Sequence, residues 1–123
     1  MNPAIAIVAD DLTRAADCGV VCTAAGLETV VVLSELFRSR DWAADVIAVD
    51  ADTRRASPER AAEVTERIVH ELCSHGETPI VYKEIDSTLR GNFAVERGRS
   101  AIPKRWCAWA ASSILVSRLI VDC

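Results

Sequence analysis

The sequence predicts an α/β fold: a mainly parallel, Rossmann-like sheet flanked by helices and truncated relative to a full doubly wound sheet. Three observations predict it. Short apolar or β-branched runs recur four times. Helical patterns separate the first run from the second and the third from the fourth. Polar, often acidic, clusters follow directly on three of the runs. Strands buried on both faces of a parallel sheet read as unbroken apolar runs. The order strand, helix, strand, strand, helix, strand implies right-handed crossovers within one twisted sheet.

The first run, Ala4 to Ala9 (AIAIVA), ends at Asp10-Asp11. Thr13 offers an N-cap hydroxyl for a small-residue helix from Arg14 to Ala25, and Gly26 stands where a left-handed residue closes a helix. Cys18 and Cys22 are four apart and share a face, so they read as core packing. Thr29 to Leu33 (TVVVL) is the second strand, and Asp45 to Val49 (DVIAV) the third, ending at Asp50. Ser34 to Ala44 between them is polar and irregular. Ser57-Pro58 is a cap followed by a first-turn proline. Ala61, Val64, Thr65, Ile68 and Leu72 then make the apolar stripe of an amphipathic helix from Pro58 to Cys73, ended by His75-Gly76. Pro79 to Tyr82 (PIVY) is the fourth strand. From Arg97 to Arg105 no period is clean, and the apolar Ala108 to Val121 has no assignable place in the sheet.

Composition bounds the function. A chain of 123 residues suits one domain, and half of its residues are hydrophobic, enough for a core. The net charge of −4 points to neither nucleic acid nor an anionic membrane. Five cysteines without a CxxC pair argue against a disulfide framework and a zinc knuckle, and fit reduced thiols in the cytoplasm. His70 and His75 read as surface or helix-end residues. Met1 to Ala9 lacks the basic start of a signal peptide, and Trp106 to Ser117 is too short to span a bilayer. The average charge hides a split: residues 1–92 carry 9 Lys/Arg and 16 Asp/Glu, whereas residues 93–123 carry 5 and 2.

In open α/β sheets ligands bind beyond the carboxyl ends of the strands. Three polar clusters fall there: Asp10-Asp11; Asp50, Asp52, Thr53 and Arg54; and Lys83, Asp86, Ser87, Thr88, Arg90, Gly91 and Asn92. The cations Arg54, Lys83 and Arg90 suit a carboxylate. Asp10, Asp11 and Asp86 suit several hydroxyls, Ser87, Thr88 and Asn92 donate or accept, and Gly91 permits close backbone approach. A small polyhydroxy acid would satisfy both kinds of group. Plainer roles are open to each cluster: Asp10-Asp11 capping the first helix with Thr13, Arg54 in a surface bridge to Asp50 or Asp52, and Asp86-Ser87-Thr88 as a cap and turn.

The segments VADDLTRAAD (Val8 to Asp17), DTRRASP (Asp52 to Pro58) and VYKEIDSTLRGN (Val81 to Asn92) resemble the four-carbon acid sugar kinases, a family that includes D-threonate and 3-oxo-tetronate kinases. The resemblance covers about residues 4–92 and implies an acid-sugar-binding amino-terminal domain, here partial, in a family whose second domain binds ATP. It implies a substrate site of Asp10, Asp11, Arg54, Lys83, Asp86, Ser87, Arg90 and Asn92, with Arg90 meeting the carboxylate and an aspartate orienting the attacking hydroxyl. It implies ATP and magnesium in the full-length family, with none expected on this chain alone, which is expected to be inactive by itself. The expected partner is a small hydroxy acid; the oligomeric state is left open.

The sequence departs from the family pattern at Arg14, where glycine is usual, at Glu84, which replaces a second lysine, and at Phe93-Ala94-Val95-Glu96, where Gly-Ala-Glu is usual. Residues 93–123 read as a divergent tail, and a shift of reading frame near codon 92 would produce both the lost likeness and the changed charge. A GxxxxGKS or GxGxxG phosphate loop is absent. Two other readings stand beside this one. A receiver-like signalling module would use Asp10, Asp11 and Asp50 or Asp52 as an acidic magnesium pocket, but Lys83 precedes Ser87 and Thr88, the reverse of the order it needs. A non-functional fragment would leave a sheet edge open.

Overall fold

The computed structural model describes residues 3–34, 42–74, 79–84 and 91–92, and the backbone of 106–110. The elements are β1 (Ile5–Ala9), α1 (Leu12–Ala24), β2 (Thr29–Leu33), β3 (Val46–Asp50), α2 (Pro58–Cys73), β4 (Ile80–Glu84) and β5 (Trp106–Ala110). They form an α/β fold around one parallel sheet of order β2-β3-β1-β4-β5. In register, Val8 lies opposite Val49 on one side and Lys83 on the other.

Side chains alternate across the sheet because strand side chains have a period of two. Ala6, Val8, Ile47, Val49 and Val81 pack on Val64 and Ile68 of α2. Their neighbours Ile7, Ala9, Val46, Ala48 and Tyr82 pack with Ala15, Cys18 and Cys22 of α1. Both faces of the central strands are therefore dry, which is why those strands read as continuous apolar runs. Burial pushes the Cys18 thiol up to about 12, with Glu84 adding to the effect, so these cysteines act as small core groups. Among the described residues no helix is long and apolar enough to cross a membrane.

Helix α2 starts at Ser57, whose hydroxyl accepts the Arg60 N–H, and proline occupies its first turn. Gly26, with φ 88°, takes the left-handed position after α1. Four expectations are corrected. The N-cap of α1 is Asp11 rather than Thr13: its backbone is extended and its carboxylate accepts the Arg14 N–H, so the helix begins at Leu12 and ends at Ala24. The third strand runs through Asp50 rather than stopping at Val49. The fourth strand continues through Lys83 and Glu84, because pairing with β1 and β5 on its two sides outweighs two charged side chains. Trp106–Ala110, in a stretch without a legible pattern, is a fifth strand parallel to β4.

Ile47 is fully buried in the middle of the sheet against α2. Ile47→Ala is expected to cost about 2–5 kcal/mol, read as a lower urea midpoint at unchanged slope. Val20→Ser, on the exposed face of α1, is expected to stay within about 0.5 kcal/mol of the parent.

Candidate functional site

Strands β1 and β3 are neighbours, but they send the chain to opposite faces of the sheet: β1 into α1, β3 into α2. A gap opens where two adjacent strands diverge in this way, at their carboxyl ends. Backbone bonds define its walls. The Ala51 N–H donates to the Ala9 carbonyl (2.8 Å), and the Thr53 and Arg54 N–H groups donate to the Asp10 carbonyl (2.9 and 3.2 Å). Asp52 takes a left-handed φ of 51° while its N–H donates to Asp50 Oδ1 at 2.8 Å. Aspartate tolerates that conformation because its side chain substitutes for a backbone partner. The tight turn brings Arg54 back over β1.

Arg54 then grips both aspartates. Its Nε donates to Asp10 Oδ2 at 3.2 Å and its Nη2 to Asp10 Oδ1 at 3.1 Å, a two-pronged fork. Its Nη1 pairs with Asp11 Oδ2. The other oxygen of Asp11 caps α1 at 2.8 Å. Asp10 is only 4% exposed, so this is a largely desolvated pair rather than a surface bridge, and its partners are Asp10 and Asp11, not Asp50 or Asp52. Asp50 is held above the usual carboxylate range by burial and by the charges of Asp52, Asp11 and Asp10, with the Asp52 N–H opposing.

Gly91 and Asn92 close the gap from the β4 side. Gly91 has φ 92°, and a Cβ there would lie 2.9 Å from Asp10 Oδ2 and 3.7 Å from the Arg54 Cα. Only glycine allows this backbone to lie against the fork. The Asn92 amide donates to the carbonyls of Thr53 (3.0 Å) and Ala56 (2.8 Å). Asn92 thus ties the segment after β4 to the turn after β3.

Lys83 and Glu84, at the end of β4, are both 1% exposed. Lys83 Nζ donates to the Glu84 carbonyl at 3.1 Å. Alternation places Lys83 on the α2 face and Glu84 on the α1 face. Both carboxylate oxygens of Glu84 are buried without a hydrogen-bond partner, and its ion-pair contact is Arg14 Nη1 at 3.9 Å. Burial drives the Glu84 carboxyl up to about 7, with Asp10 adding and Arg14, Lys83 and Arg54 opposing.

Of the residues expected at the site, Asp10, Asp11, Arg54 and Asn92 come together at this gap, and Lys83 lies at the adjoining strand end. Asp86, Ser87 and Arg90 lie outside the described residues. In the sequence Glu84 and Arg14 stand out only as departures from the family pattern; a carboxylate at a strand's carboxyl end is the signal that marks the first. An apolar groove lined by Ala16, Gly19, Val20, Thr23 and Val31 runs between α1 and β2, with no ionisable group among its lining residues.

Arg54→Ala is expected to destabilise the fold by about 2–3 kcal/mol, since it strands a buried carboxylate but opens a partly exposed position; urea unfolding measures it. Glu84 is expected to make stability fall as pH rises. Between its ordinary value of 4.5 and about 7 the unfolded chain gives up a proton that the folded chain keeps. The loss is on the order of 3 kcal/mol, complete above pH 7. Glu84→Gln should flatten that limb of the stability–pH curve.

Residues 5–101 match the family described as sugar-binding N-terminal domain. The chain is 44% identical over 91 residues to a D-threonate kinase of Cupriavidus necator, covering 73% of this chain and 21% of that protein. It is 35% identical over 119 residues to a D-threonate kinase of Bordetella bronchiseptica, covering 94% of this chain and 28% of that one. A crystal structure of a domain of unknown function from Bordetella bronchiseptica, a domain-swapped dimer with bound citrate, aligns with a TM-score of 0.64 at 33% identity over 95% of this chain and 26% of that chain. The chain therefore spans about a fifth to just over a quarter of the length of these relatives. The match over most of its length means that this chain belongs to the sugar-binding N-terminal domain family of the four-carbon acid sugar kinases.

Proposed function

We infer that this chain binds a four-carbon sugar acid, such as threonate, in the gap between β1 and β3, as the substrate-binding part of an ATP-dependent kinase. The convergence of Asp10, Asp11 and Arg54 at the diverging strand ends, closed by Gly91 and Asn92, carries this reading. Each carboxylate has about four acceptor positions, so Asp10 and Asp11 can hold Arg54 and still receive ligand hydroxyls. The names of the D-threonate kinase relatives support the substrate class. Citrate, bound in the Bordetella structure, is likewise a hydroxylated acid. Lys83 lies beside the gap, and Asp86, Ser87 and Arg90 are proposed to complete the site.

Phosphoryl transfer depends mainly on positioning and charge neutralisation, so a binding domain can own groups that matter to it. In this reading an aspartate of the pair orients the hydroxyl that receives the phosphoryl group. ATP and its metal are proposed to be held by other parts of the relatives' longer chains. This chain by itself is proposed to bind the acid without turning over ATP.

Calorimetry with four-carbon sugar acids tests the reading. Saturable heats are expected with the parent chain, and at least about tenfold weaker binding with Asp10→Asn, which removes about 1.4 kcal/mol or more of charge-assisted bonding. Flat heats for every such acid from a chain with a sharp thermal transition would overturn it.

A further inference from the structure

We propose that Asn92 is a positioning residue of this site: it sets the orientation of Arg54 through the turn after β3 and does not itself touch the sugar acid. The inference deepens the sugar-acid reading above and rests on it. A side-chain amide has two N–H donors. Asn92 spends both on backbone, one on the Thr53 carbonyl at 3.0 Å and one on the Ala56 carbonyl at 2.8 Å. Those two carbonyls bracket Arg54. The Ala56 N–H donates to the Thr53 carbonyl at 3.1 Å, so residues 53–56 form one tight turn, and Ser57 caps α2 directly after it. From the β1 side, the Asp10 carbonyl accepts the Thr53 and Arg54 N–H groups. Asn92 adds a side-chain clamp on both ends of the same turn.

The arginine it serves explains why the clamp matters. Arg54 keeps 23% of its side chain exposed, and a long side chain gives up much rotamer freedom to stay in one place. Its fork meets Asp10 Oδ1 and Oδ2 at 3.1 and 3.2 Å, and a two-pronged pair tolerates little displacement of its base. The turn fixes that base. Gly91 adds a second restraint, because its backbone passes so close that a Cβ would lie 3.7 Å from the Arg54 Cα and 3.9 Å from the Arg54 carbonyl oxygen. Residues 91 and 92 follow β4, so the segment after β4 governs where a side chain after β3 points. Arg54 holds Asp10 and Asp11, the carboxylates proposed to receive the ligand hydroxyls. Loosening the turn therefore loosens all three groups together. The Asn92 amide oxygen is the one side-chain atom left for a direct ligand contact.

Calorimetry with D-threonate and amide hydrogen exchange of the ligand-free whole chain test this together. Asn92→Ala is expected to bind threonate about tenfold more weakly. Asn92→Asp, which keeps the oxygen but loses both donors, should bind at least as weakly. Exchange of the Arg54 and Ala56 N–H groups should accelerate about tenfold in Asn92→Ala, while Ile47 and Val49 of β3 keep their parent rates. Arg54→Lys retains the charge and gives up the fork. In that background Asn92→Ala should weaken binding by less than about twofold more, because both changes act through one group. Losses that multiply, or an Asn92→Asp chain with parent affinity, mean direct contact through the oxygen and overturn the positioning role. Parent exchange rates in the turn overturn it without any ligand. An Asn92→Ala chain that does not fold also overturns it, since Asn92 would then hold the scaffold. Accelerated exchange with unchanged threonate affinity overturns the ligand role of Asn92 while the sugar-acid reading stands. A folded parent that binds no sugar acid overturns that reading itself, and the ligand role of Asn92 falls with it.

Discussion

The carboxyl edge of this sheet depends on one guanidinium shared by two adjacent carboxylates. Arg54 reaches across from the turn after β3 to Asp10 and Asp11 at the end of β1, and Asp11 in turn caps α1. A lone carboxylate as buried as Asp10 would be costly. The two-pronged donor of Arg54 offsets that cost. The fork therefore settles three things together: where the chain leaves β1, how the turn after β3 folds back, and how the first helix begins. Gly91 fits the same group because it has no Cβ to collide with Asp10.

The charges around the gap are arranged by depth. The central strands are dry on both faces, and polar groups enter only where strands end. Asp10, Asp50, Lys83 and Glu84 are all buried at these ends. Each is handled differently. Asp10 has Arg54; Asp50 has the Asp52 N–H; Lys83 has a backbone carbonyl; Glu84, among the described residues, has an arginine 3.9 Å away. That gradation separates groups that hold the fold from a group whose protonation remains open to its surroundings. The Asp10–Arg54 fork ties the turn after β3 to the end of β1.

The relatives that this chain matches are about three and a half times its length, and the matched span holds the fork, the capped helix and the Gly91-Asn92 closure. The family match runs to residue 101, and the alignment to the Bordetella kinase covers 94% of the chain. The likeness therefore continues past Asn92, where the sequence pattern alone had ceased to be readable, and β5 extends the sheet in the same region.

The amino-acid sequence by itself determined the α/β class, the order of the first six elements and both core faces, because burial on two sides leaves an unbroken apolar run and a helix against a sheet leaves a periodic stripe. It also determined the candidate residues, since Asp10, Asp11, Arg54 and Asn92 follow strands whose ends gather at one edge. Only the tertiary structure decided what those residues do to one another. Nothing local says that Arg54 turns to Asp10, 44 residues away, rather than to Asp50, four residues away, that Asn92 clamps Thr53 and Ala56, or that β4 carries Lys83 and Glu84 into the sheet. Those outcomes come from strand order, which is non-local: β3 and β4 flank β1, so side chains distant in sequence must share a space too small and too dry for any charge to stand alone.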